Sequence, residues 1–237
     1  MKAARANVKR ALGWLAFAAL IGVPWYGLRS GVIPNEWNPW APLEVDAPLG
    51  WTTRFKLSRV SRDRQMCLAT LEQTGMRYEP VADRTIAVGC ELTNAVRVRA
   101  TSVAVGEPFV LSCRSALALA LWERHVMQPV ARAYFDAPVV RIDHYGSYAC
   151  RNVYGRKDAP LSRHATADAV DIAGFRLADG KRVTVARDWT GSNREALFLR
   201  DVHRGACRVF DGVLGPEYNA AHRDHFHFDR GGFGVCR

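Results

Sequence analysis

Six cysteines, Cys67, Cys90, Cys113, Cys150, Cys207 and Cys236, are spread along the chain without a single Cys-x-x-Cys pair. That spacing fits neither a zinc ribbon nor a dithiol redox motif. Outside the cytosol, an even and dispersed set reads as three disulfides, which restricts the chain to folds that bring distant segments together in pairs. Sequential pairing is the least tangled arrangement: Cys67 with Cys90, Cys113 with Cys150, and Cys207 with Cys236. Cys113 would start a helix and Cys150 would follow the strand returning beside it, while Cys236 would fix the end of the chain. Each bridge is expected to add about 2–4 kcal/mol, mostly by restricting the unfolded chain.

The oxidising compartment is supported independently by the N-terminus. Lys2, Arg5, Lys9 and Arg10 precede an uncharged apolar run over residues 11–28. No small-x-small cleavage site follows Val23, where Pro24, Trp25 and Tyr26 stand instead, so an uncleaved anchor is favoured over a cleaved signal peptide. A buried N-terminal helix of a cytosolic protein is the remaining alternative. The run is just long enough to span a bilayer, with Trp14, Trp25 and Tyr26 placed for its interfaces. Basic residues before the run and only Arg29 directly after it orient the rest of the chain out of the cytoplasm. The expected location is a bacterial inner membrane, crossed once through residues 11–28, with the C-terminal domain in the periplasm.

The 237 residues are 49% hydrophobic and 24% charged, which excludes collagen-like, low-complexity and largely disordered chains and leaves room for one main domain. Residues 29–51 read as a linker or extended wrap, because Pro34, Pro39, Pro42 and Pro48 resist regular structure. Trp37, Trp40 and Trp51 argue that part of it packs on the domain or on a membrane surface. Residues 52–112 are expected to form a small cap with a helix around Cys67 and short strands near 85–88 and 96–105. Residues 113–237 hold the expected core. A helix over 115–127 meets Pro129, a strand covers 139–144, and 171–177 pairs with 182–186 across Asp179-Gly180. A helix over 193–204 and a strand over 225–228 follow. Strands and helices without a regular βαβ repeat predict an α+β fold, an antiparallel sheet flanked by helices and stabilised by disulfides.

Metal-ligand chemistry is concentrated in SRHATADAVD, residues 162–171, and HRDHFHFD, residues 222–229. On a strand, His225 and His227 point to one face and can reach one ion. His164 and Asp171 are seven apart, so a turn or bulge at 165–168 must bring them to the same side. A lone His-x-His pair is more often a solvated strand face than a metal site. Two histidines with one carboxylate, in contrast, make the ligand set of catalytic zinc, which leaves one position open.

Ser162-x-His164-x6-Asp171 with a later His225-x-His227 resembles the LAS metallopeptidases, the class of lysostaphin, D-Ala-D-Ala peptidases and sonic hedgehog. Residues from about 55 onward also resemble the bacterial extensin-like C-terminal domain, through the cysteine spacing, GSYACR at 146–151 and GPEYN…HRDHFHFD at 215–229. The spacing of His222, His225 and His227 is similar to that of penicillin-insensitive murein endopeptidases. These resemblances imply a hedgehog/DD-peptidase-like fold and hydrolysis of peptide bonds in peptidoglycan. They imply one zinc per chain held by His164, Asp171 and His227, with Ser162 hydrogen-bonding nearby and Arg151 holding a substrate carboxylate through its bidentate fork. A surface salt bridge is the alternative for Arg151. Two departures stand out: the usual small Gly between the first two ligands is Ala167, and Cys150 adjoins Arg151, so a disulfide would hold that arginine.

For the general base, His225 and Asp224 are close competitors, with strand alternation favouring His225; His222 would orient the other or stabilise the oxyanion. The expected function is therefore a membrane-tethered zinc peptidase, carboxypeptidase or endopeptidase, acting on peptidoglycan peptides. The alternative is a non-catalytic wall-binding or envelope structural protein of the same fold. A net charge of +10 suits either, since wall polymers and membranes are anionic. No nucleic-acid partner is expected, because the basic residues are scattered and export removes that partner.

Overall fold

A computed structural model describes residues 2–232 and 234–237. Met1, the first residue of the 1–28 segment, and Phe233 lie outside the described residues. The apolar run forms one helix, α1 (Lys2–Arg29), whose 18-residue window Leu12–Arg29 has no buried residue and touches the following segment only near its end, where Asn38 Nδ2 donates to the Leu28 carbonyl at 2.9 Å and the Ile33 amide to that of Gly27. That exposure removes the reading as a buried helix of a cytosolic core and leaves a signal or membrane-spanning segment. The Pro-rich stretch wraps the domain. Leu43, Val45 and Leu49 enter the core, whereas Trp37, Trp40 and Trp51 stay exposed.

Two short helices follow, α2 (Thr53–Val60) and α3 (Arg64–Glu72), the second capped by Asp63, which accepts from the Met66 amide at 2.8 Å. Five strands come next: β1 (Arg77–Val81), β2 (Arg84–Ala87), β3 (Cys90–Leu92), β4 (Ala95–Ala100) and β5 (Ala104–Ser112). Ser112 caps α4 (Cys113–Trp122). Residues Glu123–Met127 then take a π turn before α5 (Gln128–Phe135), so that Pro129, which has no amide to donate, falls in the first turn of a new helix. The chain continues through β6 (Val139–Gly146), β7 (Ala169–Leu177), β8 (Arg182–Thr184), α6 (Val185–Asp188) and α7 (Arg194–Ala206). It ends with β9 (Gly212–Leu214), β10 (Phe226–Asp229) and β11 (Val235–Cys236).

The fold is α+β. Among the described residues its main sheet has nine strands in the order β1-β4-β5-β6-β7-β10-β9-β11, with β8 on the free length of β7. It is mixed, since β5 pairs with β6 and β9 with β11 in parallel, while the other pairings are antiparallel. Strands drawn from 77–112 and from 139–229 share this sheet and one buried cluster. Within that cluster the Trp122 ring lies 5.3 Å from Phe228 and 6.1 Å from Phe175. Each fully buried Phe of this kind contributes roughly 1.5–3 kcal/mol.

Periodicity along β7 determines what the other sheet face can carry. Val170 and Ile172 point into the helical core, and so do Phe175 and Leu177, so the alternation slips by one residue in between. The slip coincides with the register shift opposite Asp143 and His144 of β6. As a result Asp171, Ala173 and Arg176 all stand on the outer face, together with His227 and Asp229 of β10.

All six cysteines are paired, but as Cys67–Cys113, Cys90–Cys150 and Cys207–Cys236. Only the last pair is the sequential one. Cys113 opens α4, which packs on α3, so its neighbour is Cys67. The β2–β3 hairpin instead lies near the loop after β6, where Leu161 meets Gly89, so Cys90 reaches Cys150. Replacing both members of the Cys90–Cys150 pair by Ala is expected to cost about 3 kcal/mol and to lower the midpoint of thermal unfolding by roughly 10 °C. Thermal melts followed by circular dichroism check this; an unchanged midpoint contradicts it.

Candidate functional site

His164 stands in a short 3-10 turn, Arg163–Thr166, opened by Ser162, whose hydroxyl accepts from the His164 amide at 3.3 Å. The turn ends at Ala167, which takes a left-handed conformation with φ 55°. This is the reversal that the seven-residue spacing demanded. An L-residue there carries a steric cost of about 1–2 kcal/mol, which Gly would avoid. The next residue, Asp168, is buried and forms a forked ion pair with Arg114, while Ser112 and Thr166 also donate to it. That anchor ties the His164 turn to the start of α4.

The ring of His164 is held from the other side by the segment after β6. Ser147 accepts from His164 Nδ1 through its carbonyl, and the Ala149 amide donates to the His164 carbonyl at 3.1 Å. With the proton on Nδ1, Nε2 presents its lone pair to the cleft. Asp171 and His227 are direct partners in the β7–β10 register. His164 Nε2 lies 3.1 Å from His227 Nδ1 and 3.3 Å from Asp171 Oδ2, and His227 Nδ1 lies 3.0 Å from Asp171 Oδ1. Donors about 2.0–2.1 Å from a tetrahedral zinc are separated by roughly 3.3 Å. The far nitrogen of His227 faces Asp229 at 3.3 Å, the carboxylate-histidine pairing that orients a metal-bound imidazole. The donor set, its spacing and these outer partners fit a zinc ion.

Electrostatics agree. Burial works against charge on His227, but Asp171 and Asp229 outweigh it and raise its pKa to about 9. Burial likewise works against charge on Asp171, yet the neighbouring His164 and His227 side chains hold it well below the usual carboxylate range. This pocket keeps an ionised carboxylate and attracts positive charge.

Around these groups is a cleft of about 370 Å³ lined by Arg151, Tyr154, Ser162, His222 and His225, among others. His225 lies just before β10 rather than on it. Its Nε2 is 3.7 Å from Asp171 Oδ1, and its Nδ1 faces Asp224 Oδ1 at 2.9 Å. Asp224 thus orients His225 and does not line the cleft. His222 packs 5.4 Å from the His225 ring and 5.8 Å from that of His227. Burial first, and then its histidine neighbours, lower its pKa to about 4, so it is neutral. Asn219 Oδ1 already accepts from the Ala221 amide and faces His222 Nδ1 at 2.8 Å, which puts the His222 proton on Nδ1. A neutral His222 in that tautomer accepts through Nε2 and is not a donor for an oxyanion.

Arg151 is exposed at the cleft beside the Cys90–Cys150 bridge and has no salt-bridge partner among the described residues. Its carbonyl accepts from the Ser162 amide at 3.0 Å, which couples its position to the His164 turn. Sequence reasoning missed Asp229, Ser147, Asn219 and Asp168. Only Asp229 left a sequence signal, two residues after His227 on the same strand face. A larger cleft of about 730 Å³ surrounds the buried Glu123, whose pKa burial raises to about 7, but among the described residues no histidine or second carboxylate lines it.

The family described as Extensin-like protein C-terminus matches residues 65–237. No curated protein and no solved structure matches the chain.

Proposed function

Because the chain belongs to the extensin-like C-terminus family, whose matched span holds every group of this cleft, we propose that it is a zinc-dependent hydrolase of peptide bonds in peptidoglycan. The observation that carries the proposal is the triangle of His164, Asp171 and His227 donors, with both histidines oriented by outer hydrogen-bond partners. The LAS-type, hedgehog/DD-peptidase-like kinship is part of the same proposal, and its support is this donor set on the pattern Ser162-x-His164-x6-Asp171 … His225-x-His227. A single bound zinc would polarise the scissile carbonyl and acidify the attacking water.

The chain's own residues supply the rest. His225, with its Nδ1 proton held by Asp224, offers Nε2 to take the proton of the attacking water. His222 accepts a hydrogen bond at the cleft wall and helps to place that water. Arg151 holds a substrate carboxylate, and Ser162 keeps His164 in register. Three disulfides are those of an extracytoplasmic domain, and α1 tethers it to the inner membrane with the cleft in the periplasm.

Protein purified without a metal-affinity tag is expected to contain about one zinc per chain by elemental analysis, and the His164→Ala/His227→Ala double variant none. Full metal content in that variant, or no transition metal in the wild type, would remove the basis of the proposal. The raised pKa of His227 adds a pH signature. Zinc has to displace the Nδ1 proton, so apparent affinity should rise about tenfold per pH unit up to about pH 9 and level off above it. Competition titrations with a chelator at several pH values measure this; an affinity flat from about pH 6 to about pH 8 contradicts that proton's displacement.

A further inference from the structure

The outer sheet face that carries the metal-ligand cluster continues along β6, β7 and β8 into a second groove, of about 470 Å³. Asp143 is at its centre, with little of its side chain exposed. Arg141 Nε and Arg182 Nε donate to its two oxygens, each at 3.0 Å, and Arg176 Nε lies 3.5 Å away. Burial opposes charge on Asp143, but the arginines prevail and keep it ionised. One carboxylate therefore organises three guanidinium groups and neutralises one of them. Arg187 and Glu107 also line the groove, which gives four arginines against two carboxylates.

This is a built arrangement rather than a set of free surface side chains. Gly106 adopts φ +75°, and a Cβ there would stand 2.7 Å from an Arg141 nitrogen, so the bare glycine backbone is what admits that guanidinium. Each of the three arginines keeps roughly half of its side chain exposed while tied to Asp143. The groove adjoins the cleft, for Ala173 lines one and Asp171 the other. Tyr145, in the wall of the groove, lies 5.6 Å from the His225 ring. From Asp171 to Arg176 is five residues of strand, or about 16 Å.

We propose that Arg141, Arg176 and Arg182 form a carboxylate-binding subsite that holds an anionic chain extended across the sheet face from the metal-ligand cleft. The inference deepens the peptidoglycan reading and rests on it for the identity of the chain. It assigns the enzyme a preference for substrates with a carboxylate about 16 Å from the scissile bond. Forked guanidinium pairs suit carboxylate geometry, and the excess positive charge makes the interaction sensitive to salt.

The test uses the full chain in detergent and insoluble peptidoglycan stripped of phosphate-bearing polymers, with co-sedimentation as the readout. The Arg176→Gln/Arg182→Gln variant is expected to bind about tenfold more weakly than wild type, with zinc content unchanged. Amidating the carboxylates of the peptidoglycan should weaken wild-type binding similarly and abolish the difference between the two proteins. The Arg176→Lys/Arg182→Lys variant keeps the charge beside Asp143 and should recover part of the loss, which guards against misreading a folding defect. Equal binding by wild type and the Gln variant would overturn the subsite. Binding that survives amidation, or that appears only on a parallel sample retaining its phosphate-bearing polymers, would overturn the carboxylate assignment. Arginine-dependent binding without any hydrolysis would sink the hydrolase reading and leave the subsite standing.

Discussion

On the proposed mechanism, His225→Ala is expected to lower the rate of peptidoglycan hydrolysis by about 10²–10⁴-fold while zinc content stays unchanged, the loss expected for a general base that is not a ligand. Asp224 would act one step removed, through its hydrogen bond to His225 Nδ1, so Asp224→Ala is expected to retain the larger residual activity. The pH profile separates the two roles further. Replacing the base should remove the ionisation reported by the acid limb, whereas removing Asp224 should leave that limb present. Full activity in both variants would eliminate His225 and Asp224 together.

Asp171→Asn removes the negative charge of the donor triangle and leaves a similar shape. Loss of an outer carboxylate partner typically costs 10–100-fold in metal affinity, so loss of this inner one should exceed about 100-fold. The same change removes a main cause of the raised His227 pKa, so the pH dependence of whatever zinc binding remains should move to lower pH. Equilibrium titration against a chelator of known affinity reads both effects. Affinity within a few-fold of wild type would place the metal elsewhere.

Much of this site was legible because its chemistry lies in short segments. The seven-residue gap between His164 and Asp171 required a reversal, and the left-handed Ala167 provides it. His227 falls opposite Asp171 because β10 and β7 pair in register, as the alternation of Phe226 and Phe228 with His227 suggests. The position of His225 was less legible, since strand alternation assumed that it belonged to β10 and the strand starts one residue later.

What escaped the sequence is tertiary. Nothing local says that Ser147 offers its carbonyl to His164, or that Asn219 decides the proton position on His222. The cysteine pairing depends on α3 packing against α4 and on the β2–β3 hairpin reaching the loop after β6, contacts that spacing does not encode. The strands of 77–112 were visible one by one, but their place in the same sheet as β7 and β10 was not, because β5 joins β6 through a parallel pairing made after a long helical excursion. The arginine subsite was hidden for a related reason. Arg141, Arg176 and Arg182 come together only because three strands carry them to one carboxylate.

The most direct test of the central claim is to incubate the purified protein with intact peptidoglycan and resolve the released muropeptides, with and without a zinc chelator. The account predicts new peptide-cleaved products that vanish with chelator, return on adding zinc, and are missing for His164→Ala/His227→Ala. An unchanged muropeptide profile, with zinc bound and the protein associated with the wall, would contradict hydrolysis and make the chain a wall-binding protein.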